Sequence, residues 1–144
     1  MTTNPSSEIE LCYLAAQGHG RLATVGPSGE PQNRPVSFSL DPATGTVDIG
    51  GLKLAASRKS RNVAANPLVS FVVDDHAPES STTSPFRGRG IEIRGHSEAR
   101  YDETPPNPYF SGELIRIHPV RVIAWNLAPA APGVDARDVP SAPR

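Results

Sequence analysis

The 144-residue sequence predicts a mainly β fold: an antiparallel closed sheet or barrel with flanking helices, built as one domain. Three observations lead there. Short segments of alternating polarity follow one another through turns rich in Gly, Pro and Asp. Only two stretches carry a helical pattern, and the order (helix, three strands, helix, three strands) lacks the alternation of a doubly wound sheet. The hydrophobic fraction is 37% with 6% aromatics, enough for one modest core and too little for two.

The first helix is expected over Ser7–Gln17. Ser7 and Glu10 have capping-box spacing, Ile9, Cys12, Tyr13 and Ala16 share one face, and Gly18 and Gly20 end it. Arg21–Val25 is a short strand, followed by the turn Gly26-Pro27-Ser28-Gly29. Pro31–Leu40 is the second strand, with Val36, Phe38 and Leu40 on one face; Pro35 inside it implies an edge, a bulge or an N–H that no neighbour needs. A turn at Asp41–Gly45 leads to a third strand, Thr46–Ile49, ended by Gly50 and Gly51, where the backbone can approach something closely.

Ala55–Ala65 is expected as the second helix, stopped at Asn66-Pro67. Leu68–Asp74 is too apolar for a half-exposed strand and is expected at the centre of the sheet. Arg89–Arg100 alternates with one wet face, and Glu113–Trp125 is a long last strand with a bulge or kink at Pro119. Pro-rich loops occupy His76–Gly88 and Tyr101–Gly112. Residues 1–127 form the expected domain, and the Ala/Pro-rich 128–144 a mobile tail.

A formal net charge of −1 argues against a nucleic-acid or anionic-membrane binder, which needs a broad basic surface. No apolar run reaches the roughly 20 residues of a membrane helix, and the N-terminus has no signal-peptide pattern. Cys12 is the only cysteine, so the chain makes no internal disulfide, and a reducing, cytoplasmic setting is expected. The four histidines lack metal-ligand spacing.

Positive charge is concentrated at one place. Gly50–Val63 holds four of the fourteen Lys and Arg residues, and no carboxylate occurs between Asp48 and Asp74. A helix start offers free N–H groups and a positive dipole end. Ser57, Arg58 and Lys59 add a hydroxyl, a planar fork and a point charge, a set suited to a phosphate. A solvated basic helix face is the other reading of the same residues. Asp74-Asp75 is read as a solvated turn or as an acceptor for a cofactor hydroxyl, and Trp125 as core, interface or ligand contact.

This order of strand, loop, Ser-Arg-Lys, helix, Asn66-Pro67 and apolar strand resembles the pyridoxamine-phosphate-oxidase-like flavin-binding split barrels. The runs 21–27, 57–62, 72–75 and 121–125 are most similar to its actinobacterial, F420-dependent branch. Within that branch, 32–36 and 51–62 resemble the group containing the dehydrotetracycline reductase of oxytetracycline biosynthesis. The likeness extends from about Glu10 to Leu127. The Arg-Leu-His-Asp-Arg-like run that binds substrate in the true oxidases is absent.

The resemblance implies an antiparallel split barrel that forms a homodimer with cofactor sites at the interface. It implies phosphate contacts at Ser57, Arg58 and Lys59, and further cofactor contacts at Arg34, Pro35, Val36, Ser37, Gly50, Gly51, Asn62 and Trp125. It implies an oxidoreductase that uses reduced F420 on a conjugated double bond of a planar or polycyclic substrate, with no residue identified as proton donor. FMN is the alternative cofactor, since the same residues suit its phosphate. A non-catalytic flavin or F420 carrier is the alternative outside enzymes.

Overall fold

In the computed structural model, residues 6–81, 85–101, 108–129 and 131–140 are described. Helix α1 spans Glu8–Ala15, followed by strands β1 (His19–Val25), β2 (Pro31–Leu40) and β3 (Val47–Ile49). A short 3-10 turn, Leu54–Ala56, precedes helix α2 (Arg58–Ala65). Strands β4 (Leu68–His76), β5 (Gly88–Arg100), β6 (Leu114–Trp125) and β7 (Val134–Asp138) complete the chain. Much of the expected Tyr101–Gly112 loop falls at 102–107, outside the described residues.

All strand pairs are antiparallel, in the order β3-β2-β1-β4-β5-β6-β7, and β3 also pairs with β6. That pairing closes β1–β6 into a six-stranded barrel, and β7 continues the same edge of β6 beyond β3. Alternation fills the interior: Leu22, Phe71, Ile91, Ile93, Ile115 and Ile117 are all 1% exposed or less. Strand β4 lies between β1 and β5 and buries Val69, Phe71 and Val73, as its apolar sequence predicts.

The turn chemistry matches the sequence. Gly29 and Gly45 sit at φ 83° and 77°, in the left-handed region that favours glycine. Asp41 Oδ1 accepts the Ala43 N–H in its own turn. Pro35 lies where β2 has β1 on one side only, because β3 pairs no further back than Phe38. Between Arg94 and Gly95 the β5–β6 register jumps from Arg121 to Pro119, the bulge expected at that proline.

Two expectations are corrected. Helix α1 carries the capping box at Ser7 and Glu10, but its buried face is Glu10, Tyr13 and Leu14, while Ile9 is 46% exposed and Cys12 is exposed. The reason is charge pairing across the fold. Glu10, 2% exposed, is ion-paired with Arg137, which lies in the segment expected to be a mobile tail. That segment instead forms β7, pairing Val134–Asp138 with Trp125–Arg121. Arg137 Nη1 donates to Glu10 Oε2 at 2.9 Å, Nη2 donates to Oε1, and the Ser7 N–H adds a bond of 2.8 Å.

Burial raises the Glu10 carboxyl pKa, but the Arg137 guanidinium and the Ser7 amide outweigh it and hold the group below its ordinary 4.5. Ionised Glu10 thus contributes stability above that value, lost as pH falls through its lowered pKa. Replacing Arg137 with Ala leaves a buried carboxylate unpaired, and we expect a loss of about 2–3 kcal/mol at pH 7 in urea unfolding. Without the guanidinium, burial raises the Glu10 pKa, so acidification toward pH 4 should narrow the gap between variant and parent. A gap constant over that range would mean that Arg137 acts through packing alone.

Candidate functional site

Eight arginines, at 21, 87, 89, 94, 100, 116, 121 and 137, are ion-paired with carboxylates. Among the described residues, the cations without such a partner are Arg34, Lys53, Arg58, Lys59 and Arg61. They belong to β2 and to the junction that leads into α2. Arg34, Arg58 and Lys59 line a cleft of about 300 Å3, together with Leu22, Thr24, Gln32 and Asn33. The hairpin register explains the company Arg34 keeps, since Leu22 opposes Arg34 and Thr24 opposes Gln32.

The junction is built to present cations. Lys53 adopts φ 49°, a left-handed conformation that costs an L-residue about 1–2 kcal/mol. The chain then turns through Leu54–Ala56, and Ser57 becomes the N-cap of α2. Ser57 Oγ accepts the Ser60 N–H at 3.2 Å and donates to the Leu54 carbonyl at 2.6 Å. Its one hydrogen is therefore spent inside the chain, and Ser57 serves to set Arg58 and Lys59 in the first turn of the helix. No acidic residue accompanies them there. Cations at a helix N-terminus oppose the dipole, an arrangement that a bound anion reverses.

Electrostatics agree. Burial first, and then the charge of Arg34, lower the Lys59 ammonium below its ordinary 10.5. A bound anion would offset both effects. The donor set therefore fits a phosphate-bearing cofactor. No group of three or more His, Cys, Asp or Glu that could hold a metal occurs among the described residues.

The structure brings only some of the expected site residues together. Arg34, Arg58 and Lys59 share the cleft. Pro35 is exposed beside it on β2, Val36 belongs to the core, and Ser37 is half-buried opposite His19. Gly50 is needed by the chain itself, since a Cβ there would lie 2.9 Å from the Phe110 ring. The Gly51 carbonyl accepts the Ser111 N–H and hydroxyl. Asn62 is 3% exposed, and its amide donates to Thr24 Oγ1 and Gln32 Oε1, each at 2.9 Å. Both of its donor hydrogens are thus used internally.

Trp125 lies elsewhere in the chain, beside Gly90 and in a small cleft with Glu10, Leu127 and Ala128. Asp75 accepts from Tyr13, Gln17 and Arg89, and Asp74 from Arg21, so both carboxylates brace the fold. The residues that sequence reasoning missed are Leu22, Thr24, Gln32 and Asn33. A signal for Gln32 existed, because it stands two residues from Arg34 and shares its strand face.

Comparison with known proteins identifies the family and the fold. The family described as Pyridoxamine 5'-phosphate oxidase matches residues 9–138. A 5a,11a-dehydrotetracycline/5a,11a-dehydrooxytetracycline reductase of Streptomyces rimosus is 44% identical over 137 residues, covering 94% of each chain. Among solved structures, a conserved hypothetical protein of Mycobacterium tuberculosis superposes with a TM-score of 0.66 at 20% identity, covering 97% of this chain and 98% of that one. An F420 reductase superposes with a TM-score of 0.53 at 27% identity, covering 72% and 87% of the two chains. The split-barrel architecture, the cation-lined cleft and a match over nearly the whole sequence lead to one conclusion: the chain belongs to the pyridoxamine 5'-phosphate oxidase family.

Proposed function

We propose that this protein is an F420-dependent reductase acting on a conjugated double bond of a planar, polycyclic substrate of the dehydrotetracycline kind. The observation that carries the reading is the cleft of Arg34, Arg58 and Lys59, cations that form no direct ion pair (Arg58 acts on the Glu30 carboxylate only through its charge) in a chain otherwise rich in ion pairs. The likeness to a dehydrotetracycline reductase supports the substrate class, and the F420 reductase among the structural neighbours supports the cofactor.

When bound, reduced F420 supplies a hydride to an electron-poor carbon. The protein's part is to bind and orient. Arg58 and Lys59 hold the phosphate at the start of α2, with Arg34 opposite them. Lys53 and Arg61 add to the junction, along the sequence, more positive charge than one phosphate needs, which favours a cofactor with a further anionic tail over FMN. Along 31–37, β2 has a neighbour on one side only, leaving backbone groups for a planar ring.

A second copy of the chain completes the site in this reading. The cleft of about 300 Å3 lies at the bottom of the range for small-molecule pockets, and it must take a large cofactor and a substrate. On the outer sheet face, a mainly apolar cleft of about 340 Å3 leaves Leu68 and Val120 53% and 43% exposed, a surface suited to a partner copy. The expected assembly is a homodimer. Light scattering at micromolar concentration should return twice the chain mass, and a monomer mass would refute the shared site.

Arg58→Ala and Lys59→Ala should each leave the melting temperature near the parent value and weaken F420 binding. One lost charge-assisted contact is worth roughly 1.5–3 kcal/mol, about ten- to a hundred-fold in affinity. Unchanged affinity in both variants would remove the phosphate from this cleft.

The cofactor is tested by paired titration with F420 and FMN, then by mixing the protein and reduced F420 with a dehydrotetracycline. Tighter F420 binding and oxidation of the reduced cofactor by the acceptor are expected. Tenfold tighter FMN binding would overturn the F420 assignment. Binding without turnover across a panel of planar conjugated acceptors would make a carrier the better reading.

A further inference from the structure

Among the uncharged polar side chains of the cleft, Gln32 is the one whose carboxamide is hydrogen-bonded at both ends with an amide hydrogen left over. Gln32 lies between the cations and a buried amide, and its hydrogen bonds run in one direction only. Asn62 Nδ2 donates to Gln32 Oε1 at 2.9 Å, and Gln32 Nε2 donates to Glu30 Oε1 at 3.2 Å. Glu30 in turn accepts the Ser28 N–H at 2.8 Å and is held at the tip of the β1–β2 hairpin. A carboxylate only accepts, so the end of Gln32 that faces Glu30 must be its nitrogen. A reversed carboxamide would set oxygen against oxygen at Glu30 and nitrogen against nitrogen at Asn62.

The rest of the local structure enforces this polarity. Asn62, 3% exposed, spends its other amide hydrogen on Thr24 Oγ1 at 2.9 Å and cannot turn without losing that bond. Gly26 leaves room for the pair: a Cβ there would fall 2.2 Å from Glu30 Oε1 and 2.7 Å from Gln32 Nε2. Gln32 Nε2 carries two hydrogens, and Glu30 is its one acceptor among the described residues. The second hydrogen belongs to a side chain that lines the same cleft as Arg34, Arg58 and Lys59.

We propose that Gln32 is a neutral hydrogen-bond donor of the anion site, and that Asn62 is a positioning residue that fixes which end of the Gln32 carboxamide the cleft receives. This rests on the cleft holding a phosphate-bearing cofactor. Asn62 then acts on the ligand without touching it. A donor without charge adds directionality where three cations supply attraction. Its orientation is set before the ligand arrives, so binding bears no cost of turning it.

The test is a binding cycle read by titration with F420 and with its phosphate-free deazaflavin core, alongside thermal melting. Gln32→Met keeps the shape and removes the donor. It should weaken F420 roughly ten-fold and leave affinity for the phosphate-free core unchanged, while the lost acceptor for the buried Asn62 amide lowers the melting temperature. Asn62→Asp turns the neighbouring donor into an acceptor and leaves Gln32 with a carboxylate at each end, so the polarity of its carboxamide is no longer fixed, and should weaken F420 similarly. Added to Gln32→Met it should cost no further affinity.

Where Asn62→Asp fails to fold, Gly26→Ala, which displaces the same carboxamide from the turn side, takes its place in the cycle. Parent-like F420 affinity in Gln32→Met, with Arg58→Ala impaired, would overturn the Gln32 role and leave the phosphate cleft standing. Additive losses in the double variant would overturn the positioning role. Parent-like affinity in Arg58→Ala and Lys59→Ala as well would remove the cleft reading on which both rest.

Discussion

Three cross-strand pairs, Val47 with Ile117, Asp48 with Arg116 and Ile49 with Ile115, turn an open antiparallel sheet into a barrel. Everything that positions the cleft depends on that closure. Val47 and Ile49 are fully buried, while outside them Arg116 grips the Asp48 carboxylate through two bonds of 2.9 and 3.0 Å. Because β3 is held there, the next residues follow a fixed path. Gly50 passes under Phe110, the Gly51 carbonyl meets Ser111, and Leu54 is buried with 1% exposure. The barrel thereby delivers Ser57 to the place where α2 must begin. A half-turn of slack in this path would carry Arg58 and Lys59 away from Arg34.

Charge is distributed with the same economy. Arginines elsewhere are matched to carboxylates across strands or between elements, as in Arg89 with Asp75 and Arg21 with Asp74. The unmatched cations sit together, two of them in the first turn of a helix whose dipole already repels them. With a net charge of −1, the protein has no overall field that would draw anions, so positive potential is confined to this local concentration. Burial and the charge of Arg34 lower the Lys59 ammonium, as the proposed anion site would require of an unneutralised cation.

The two ends of the chain are joined by a similar logic at smaller cost. Strand β6 is paired with β5 along its length, but β3 covers the other edge only as far as Ile117. The bulge at Pro119 separates that stretch from the part that β7 takes, and the Val139 N–H closes the seam on the Val120 carbonyl at 2.7 Å. Short and largely exposed, β7 is held by the backbone ladder, by the Arg121–Asp138 ion pair across it and, between elements, by the Arg137 bond to Glu10. That one ion pair also decides which face of α1 is buried.

Local rules were legible in the residues themselves. The capping box at Ser7 and Glu10, the glycine turns at Gly29 and Gly45, the proline bulge and the central β4 all follow from interactions within a few residues or from strand alternation. So did the charged junction, because four cations without a nearby carboxylate are a property of sequence. Tertiary structure alone decided what those residues meet. It turned Ser57 inward to cap its helix, spent both hydrogens of Asn62 on Thr24 and Gln32, placed Trp125 away from the cations, and made a strand of 134–138. The physical reason is that a side chain's partner lies tens of residues away, 30 from Asn62 to Gln32 and 127 from Glu10 to Arg137. Such partners are chosen by how the sheet closes, and closure is a property of the whole chain.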